Sequence, residues 1–218
     1  MSVSIELCGK DYTIDCFDGW WQPSPRSSVI RRYQHAADVT LPEAIKHCRG
    51  NSVTVQAGGH LGVFTKWLAD RFDKVLTFEA DPVNWACLER NVAGDERITA
   101  SDKALGDREG KAPWGHSDTN SGKNKVTLGG KHFVTMTTVD ALDLYACDFL
   151  CFDLEGYELP ALKGAADTIA RHKPVVLFED IGHGKKYGFA ADAVQQWLSQ
   201  RGYAEVARVY DDRIWSAA

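Results

Sequence analysis

The sequence predicts an α/β fold: a doubly wound, mostly parallel seven-stranded sheet with an antiparallel last strand, behind an N-terminal cap of a hairpin and short helices. Three observations carry that prediction. From Ser52 onward, short apolar strands alternate with stretches of helical apolar spacing, the rhythm of a parallel sheet covered on both faces. The last helix leads into two strand-like segments separated only by Asp211 and Asp212, which reads as an antiparallel hairpin. Residues 1–50 follow neither pattern and are read as a cap on a main domain of residues 51–218.

In the cap, Val3, Ile5 and Leu7 alternate, then Tyr12 and Ile14, with Gly9-Lys10 between them, so the chain opens as a hairpin. Residues 19–25 break regularity, and residues 27–37 can be helical. Pro42 suits a first helical turn and predicts a short helix over residues 41–48. In the main domain, Val53, Val55 and Ala57 form the first strand, which turns through Gly58-Gly59-His60-Leu61-Gly62 into a helix. The second strand, Val75 to Phe78, ends in Glu79, and a helix with Trp85, Leu88 and Val92 inward follows Pro82. Residues 98–101, 149–153 and 175–179 are the next strands, and residues 159–172 are read as one helix. The alanine-rich helix that follows stops at Gly202, and residues 204–210 and 213–216 make the final hairpin. Residues 106–130, rich in Gly, Ser, Asn and Lys, form the one long irregular segment, and a segment of that length in a compact domain suggests a lid or binding loop.

Size and charge bound the function. Of 218 residues, 44% are hydrophobic and 25% charged, which suits a globular chain that buries a core without disulfides. A net charge of −5 argues against a protein held to nucleic acid mainly by phosphate contacts. No stretch approaches the roughly 18 apolar residues of a membrane span, and residues 1–10 lack the apolar core of a signal peptide, so a cytoplasmic protein is expected. Cysteines at 8, 16, 48, 87, 147 and 151 form no C-x-x-C pair and read as small reduced core residues rather than a zinc site.

Three constellations carry chemistry. Gln56, Ala57, Gly58, Gly59, His60 and Gly62 form a strand-to-helix turn whose small residues let the backbone approach a ligand, with helix N–H groups favouring a carboxylate or phosphate. Glu79 lies 20 residues beyond Gly59 at the end of the second strand, where an acid accepts hydrogen bonds from the ribose of an adenosine-containing ligand. Ala57, Gly59 and Gly62 also fit a relaxed dinucleotide fingerprint, so a nicotinamide-dependent oxidoreductase stands as an alternative. The third is Asp153-Leu154-Glu155-Gly156 at the carboxyl end of the fourth strand, where open α/β sheets bind ligands. Glu158 reads as an acid suited to a helix first turn.

The glycine turn, the Glu79-Ala80-Asp81-Pro82 segment, Ala104-Leu105-Gly106-Asp107 and above all the run from Asp153 through Ala165, followed by Pro174 to Glu179, resemble the FkbM-type methyltransferases. The resemblance covers residues 52–179 and implies a Rossmann-like class I fold and S-adenosyl-L-methionine as cofactor. Its expected activity is methylation of a hydroxyl on a small molecule, sugar or glycan. It implies Gly58, Gly59 and His60 at the methionine end of the cofactor, Glu79 at the ribose, Asp102 and Lys103 beside the adenine, and Asp153 facing the sulfonium and the acceptor. Two positions depart from the family: Gln56 replaces an Asp that contacts the cofactor's amino end, and Ala80 replaces a Pro. The loss at Gln56 keeps a non-catalytic cofactor-binding protein open as an alternative.

An alcohol acceptor must lose its proton, and the candidate catalytic residues are Asp153, Glu155 and His183, the last in a glycine-flanked loop after the fifth strand. Asp153 with Glu179 and Asp180 also resembles the magnesium site of catechol O-methyltransferases, but Glu-Asp stands where that family has Asp-Asn, and no metal is assigned. Lys123 and Lys125 in the long loop suit an anionic acceptor, and Trp20-Trp21 suit either the core of the cap or a wall of the acceptor pocket. No stable nucleic-acid partner is expected, and oligomeric state is left open.

Overall fold

The computed structural model describes residues 3–14 and 28–218. Trp20, Trp21 and Cys16 lie outside the described residues. The chain opens with the antiparallel pair β1 (Val3–Leu7) and β2 (Lys10–Ile14). Cys8 and Gly9 make the turn, one residue earlier than Gly9-Lys10, because both take the positive φ that a two-residue hairpin needs (54° and 71°). Helix α1 (Ser28–His35) runs through a π-helical stretch, Ala36–Thr40, directly into α2 (Leu41–Ile45), so the second helix ends sooner than residue 48. Leu7, Tyr12, Ile14 and Val29 bury against Leu61, Val63 and Cys87, which seats the hairpin over the start of the main sheet's first helix. Asn91 fastens it by bonding both backbone groups of Thr13, at 2.8 and 3.1 Å.

The main sheet then builds up as β3 (Val53–Ala57), α3 (Val63–Ala69), β4 (Lys74–Phe78), α4 (Pro82–Val92) and β5 (Ile98–Ser101). The chain next forms β6 (Ala104–Leu105), β7 (Gly110–Gly115), β8 (Lys125–Val126) and β9 (His132–Thr137) before re-entering the sheet as β10 (Phe149–Phe152). It finishes with α5 (Glu158–Lys163), α6 (Ala166–His172), β11 (Val175–Glu179), α7 (Ala193–Ser199), β12 (Tyr203–Val209) and β13 (Asp212–Ala217). The order across the seven strands is β12-β13-β11-β10-β3-β4-β5, and β13 enters antiparallel between its neighbours. The terminal turn is Tyr210-Asp211 rather than Asp211-Asp212, with Tyr210 at φ 54°. Strand pleating sorts the residues: Val53, Val55, Leu150 and Phe152 pack with α5, α6 and α7, while Phe149 and Cys151 pack with α2 and α3 on the other face.

Residues 106–130 are not one irregular loop. Strands β6 to β9 form a second sheet of order β6-β9-β7-β8 with its own small core of Ala80, Ala104, Ala112, Val126 and Met136. Glycine density hides this in the sequence, because Gly110 and Gly115 sit at the ends of β7, where the chain turns, and not inside a flexible coil. The helix expected over residues 159–172 is also broken. Its break is where the small sheet docks: a methyl on Gly164 would run into the Gly106 carbonyl oxygen and would meet Thr138 Cβ at 3.1 Å. Asp140, from the segment after β9, accepts from the Thr168 N–H at 2.8 Å and the Asp167 N–H at 3.1 Å and so caps the new helix. Gly164 has a φ of −74°, open to any residue, so its requirement is steric. Gly164→Ala is therefore expected to cost about 1–3 kcal/mol of stability, read as a lowered urea midpoint at unchanged slope; an unchanged midpoint would refute the docking role.

Candidate active site

Pleating along β3 decides what the glycine turn can offer. Ala57 faces the cleft above the sheet, while Gln56 faces α3, where its Oε1 accepts from Thr65 Oγ1 at 2.6 Å and Thr77 Oγ1 at 2.9 Å. Gln56 is thus committed to a buried polar cluster. The turn itself needs its glycines: Gly58 has φ 83° and lies against the Asp153 carbonyl, and Gly62 has φ 87°. The N–H groups of Gly58 and Gly59 both donate to the Phe78 carbonyl, at 3.0 and 2.9 Å, and that of His60 donates to Glu79 at 2.8 Å. These donors are spent within the protein, so the turn provides close backbone approach rather than the free N–H groups expected of it.

Glu79 sits at the end of β4, 6% exposed, its two oxygens taking the His60 and Asp81 N–H groups at 2.8 Å each. Burial pushes its carboxyl up to about 7 against those bonds. Next to it, Asp81 caps α4 and gathers the small sheet: Trp114 Nε1 donates to it at 3.2 Å, and His116 Nδ1 lies 2.7 Å away. His60 turns its ring from the cleft toward Tyr33 Oη at 2.7 Å and Ser121 Oγ at 3.0 Å, joining the cap to the loop between β7 and β8.

Ala57, Gly58, Glu79, Ala80, Lys103 and Asp153 line a single cleft of about 410 Å³, roofed by Trp114, Asn124, Lys125 and Tyr157. Asp102 is exposed and lies outside this lining. Asp153 meets solvent in the cleft but is enclosed by protein on its other sides; this desolvation, and then Glu179, Glu155 and Glu158, hold its carboxyl above the ordinary range. The next residues are shaped by Glu158, a buried acid whose Oε1 accepts from the N–H groups of Leu154 at 2.9 Å and Gly156 at 3.1 Å. That carboxylate braces the turn, a more specific job than favouring a helix dipole. The braced turn holds Glu155 at φ 55°, unusual for a residue with a side chain, beside Gly156 at φ 104°. A Cβ on Gly156 would meet the His183 backbone at 2.6 Å, so only glycine lets the two loops touch.

The outcome is that Glu155 Oε2 and His183 Nδ1 lie 3.0 Å apart, sheltered from solvent, in an ion-pair distance that lacks the alignment of a formed hydrogen bond. His183 also lines a neighbouring space of about 420 Å³ with Glu179, Gly156 and Phe189. Asp180 is held elsewhere: Arg213 Nε donates to it at 2.6 Å and Gln195 Nε2 at 2.7 Å. Among the described residues no group of three or more His, Cys, Asp or Glu side chains is arranged to hold a metal ion. Cys8, Cys48, Cys87, Cys147 and Cys151 are free thiols, and burial pushes those of Cys48 and Cys147 up to about 12, which makes them poor nucleophiles.

Residues 56–204 match the Methyltransferase FkbM domain, more than half of the chain. The chain belongs to the FkbM methyltransferase family. Its fold is that of the class I methyltransferases, with β13 antiparallel in the sheet. Among solved structures it is similar to Methyltransferase FkbM from Methylobacillus flagellatus KT, with 20% identity and a TM-score of 0.56 over 76% of this chain and 43% of that one. The chain therefore spans less than half the length of that relative. It is also similar to SMU.1697c, a putative methyltransferase from Streptococcus mutans in complex with SAH, with 11% identity and a TM-score of 0.49 over 82% of this chain and 94% of that one. A search of curated protein sequences finds no match. No helix among the described residues is long and apolar enough to cross a membrane.

The chain's buried acids have a measurable consequence. Burial first, and neighbouring acids second, raise Glu158 and Glu179 to about 7 and Asp212 to about 6, as burial does Glu79. A carboxyl whose folded pKa exceeds its unfolded one binds its proton more tightly when folded. Its stabilising contribution is complete below the ordinary value near 4.5 and is lost as pH rises through about 7. The ligand-free protein is therefore expected to unfold at a higher temperature at pH 5.5 than at pH 8, and Glu158→Gln, which keeps an acceptor oxygen, should flatten the slope. A midpoint that rises with pH would contradict the sign.

Proposed function

We propose that this chain transfers a methyl group from S-adenosyl-L-methionine to a hydroxyl oxygen of a small molecule, sugar or glycan. The cleft fits that cofactor: a glycine turn allows close approach, and a buried acid at the end of β4 keeps acceptor capacity on both oxygens after its two backbone bonds. When bound, the cofactor supplies an electrophilic methyl on a cationic sulfonium. Glu79 would accept from the ribose hydroxyls, Ala80 and Lys103 would flank the nucleoside, and Asp153 would set negative charge against the sulfonium.

The observation that carries the choice of oxygen is the contact of His183 with Glu155 beside the cleft. Methyl transfer is an in-line displacement that depends mainly on positioning, but a hydroxyl attacks only if a base takes its proton. With Nδ1 turned to Glu155, His183 would receive that proton on Nε2, and Glu155 would fix the ring and offset the imidazolium charge. The test is incubation with methyl-labelled cofactor and fractionated metabolites and glycans of the source cell. Label in a product stable to mild alkali, as an ether is, is the expected result. Label confined to alkali-labile esters or to amines would overturn the assignment to a hydroxyl, and binding without transfer would point to the non-catalytic alternative.

A further inference from the structure

We propose that the methyl acceptor is an anionic hydroxyl compound, bearing a phosphate or carboxylate, whose negative group is held by Lys125 with Lys123 and Lys186 beside it. The proposal deepens the methyltransferase reading of the cleft and rests on it.

Two segments that are far apart in the chain are brought together at the cleft's rim. Tyr187 Oη donates to the Val126 carbonyl at 2.5 Å, fastening the turn of His183–Tyr187 to β8, and the Tyr187 ring packs edge-on against Tyr157, 5.2 Å between centroids. This carries Lys185 and Lys186 to the same rim as Lys123 and Lys125. Lys125 is half-buried and lines the cleft, and its Nζ donates to the Lys123 carbonyl at 2.9 Å, a neutral acceptor that leaves two ammonium hydrogens available. Among the described residues, none of Lys123, Lys125, Lys185 and Lys186 has a carboxylate within 4.0 Å.

Acids outnumber bases in the chain, and some cations elsewhere are ion-paired: Lys10 with Asp70, Lys46 with Glu43, Arg97 with Asp95, and Arg213 with both Asp180 and Glu205. Lys125 is partly desolvated, and of the charges around it Glu155 favours the ammonium while Lys186 and Lys123 oppose it; an anion of the ligand relieves both the desolvation and the repulsion. In this arrangement Asp153 would face the sulfonium, and Lys125, with Lys123 and Lys186 beside it, would face the acceptor's anion. Glu155, the acid that acts on Lys125, has its carboxylate 3.0 Å from His183 Nδ1.

The test uses the full chain saturated with S-adenosylhomocysteine, titrated with glycerol 3-phosphate, glycerate and glycerol while amide shifts around β8 and His183 are followed. Both anions are expected to bind, more weakly at high salt, and glycerol is not. Lys125→Gln should weaken anion binding about tenfold, whereas Lys131→Gln, on an exposed turn away from the cleft, should change it less than twofold; the thermal shift given by S-adenosylhomocysteine checks that each variant is folded. Binding of glycerol 3-phosphate alone would support the proposal and narrow the class to phosphate esters. Glycerol binding as well as the anions do, or anion binding indifferent to Lys125→Gln, would overturn the proposal and leave the cofactor reading intact. Failure of S-adenosylhomocysteine itself to bind would overturn both.

Discussion

Glu79→Ala should weaken S-adenosylhomocysteine binding by about 1.5–3 kcal/mol, the range for hydrogen bonds to a charged group. The effect has two sources that different measurements separate. The carboxylate is the expected partner of the ribose, and it also holds the His60 and Asp81 N–H groups, so its loss leaves two buried donors unpaired. The second source lowers the stability of the ligand-free protein; the first does not. Proton linkage isolates the ligand contact. Glu79 sits at about 7 without ligand, and hydroxyl donors favour its charged form. Binding should therefore release protons near neutrality, and affinity should rise from pH 6 to pH 8. Calorimetry in two buffers of different ionisation enthalpy measures the release, and in Glu79→Ala it should vanish. Wild-type affinity in that variant would remove Glu79 from the site.

Much of this site is legible in the sequence because it depends on backbone rules. A glycine turn after a short apolar strand, an acid at the end of the next strand and an Asp at the end of β10 follow from strand length and pleating, and Ala57, Gly58, Glu79, Ala80, Lys103 and Asp153 do line one cleft. What the sequence hides is where side chains of distant segments meet. Gln56 reads as a substitution in a cofactor contact, but pleating turns it toward Thr65 and Thr77, and nothing in the linear pattern marks those two threonines as its partners. His60 reads as a cleft residue, and a tyrosine 27 positions earlier takes its ring. Asp180 reads as a possible metal ligand until Arg213, from the last strand, reaches it. The small sheet is obscured for another reason: β6 and β8 are two residues each, too short for an alternation to register. A signal for it did exist in Ala112, Trp114, Val134 and Met136, which alternate on two strands that pair in antiparallel register.

His183→Ala and Asp153→Asn should each lower turnover by about 100- to 10,000-fold while leaving S-adenosylhomocysteine affinity within a few-fold of wild type. The split between turnover and affinity is what a role at the reacting atoms requires. His183 lies beyond the lining of the cofactor cleft, so its loss should not touch cofactor binding, whereas Asp153 lines that cleft and can show a modest loss of affinity. Glu155→Gln distinguishes the base from its support. It keeps an oxygen near His183 Nδ1 but removes the charge that would offset the imidazolium, so turnover should fall, though less than in His183→Ala. A structural role for His183 predicts the opposite pattern: lower thermal stability and partial loss of cofactor binding. A chelation arm completes the assignment, because Arg213 and Gln195 already hold Asp180 through Oδ2. Turnover that survives exhaustive chelation leaves proton transfer to His183 and Glu155; turnover lost to chelation and restored by Mg²⁺ would move the chemistry to the ends of β10 and β11.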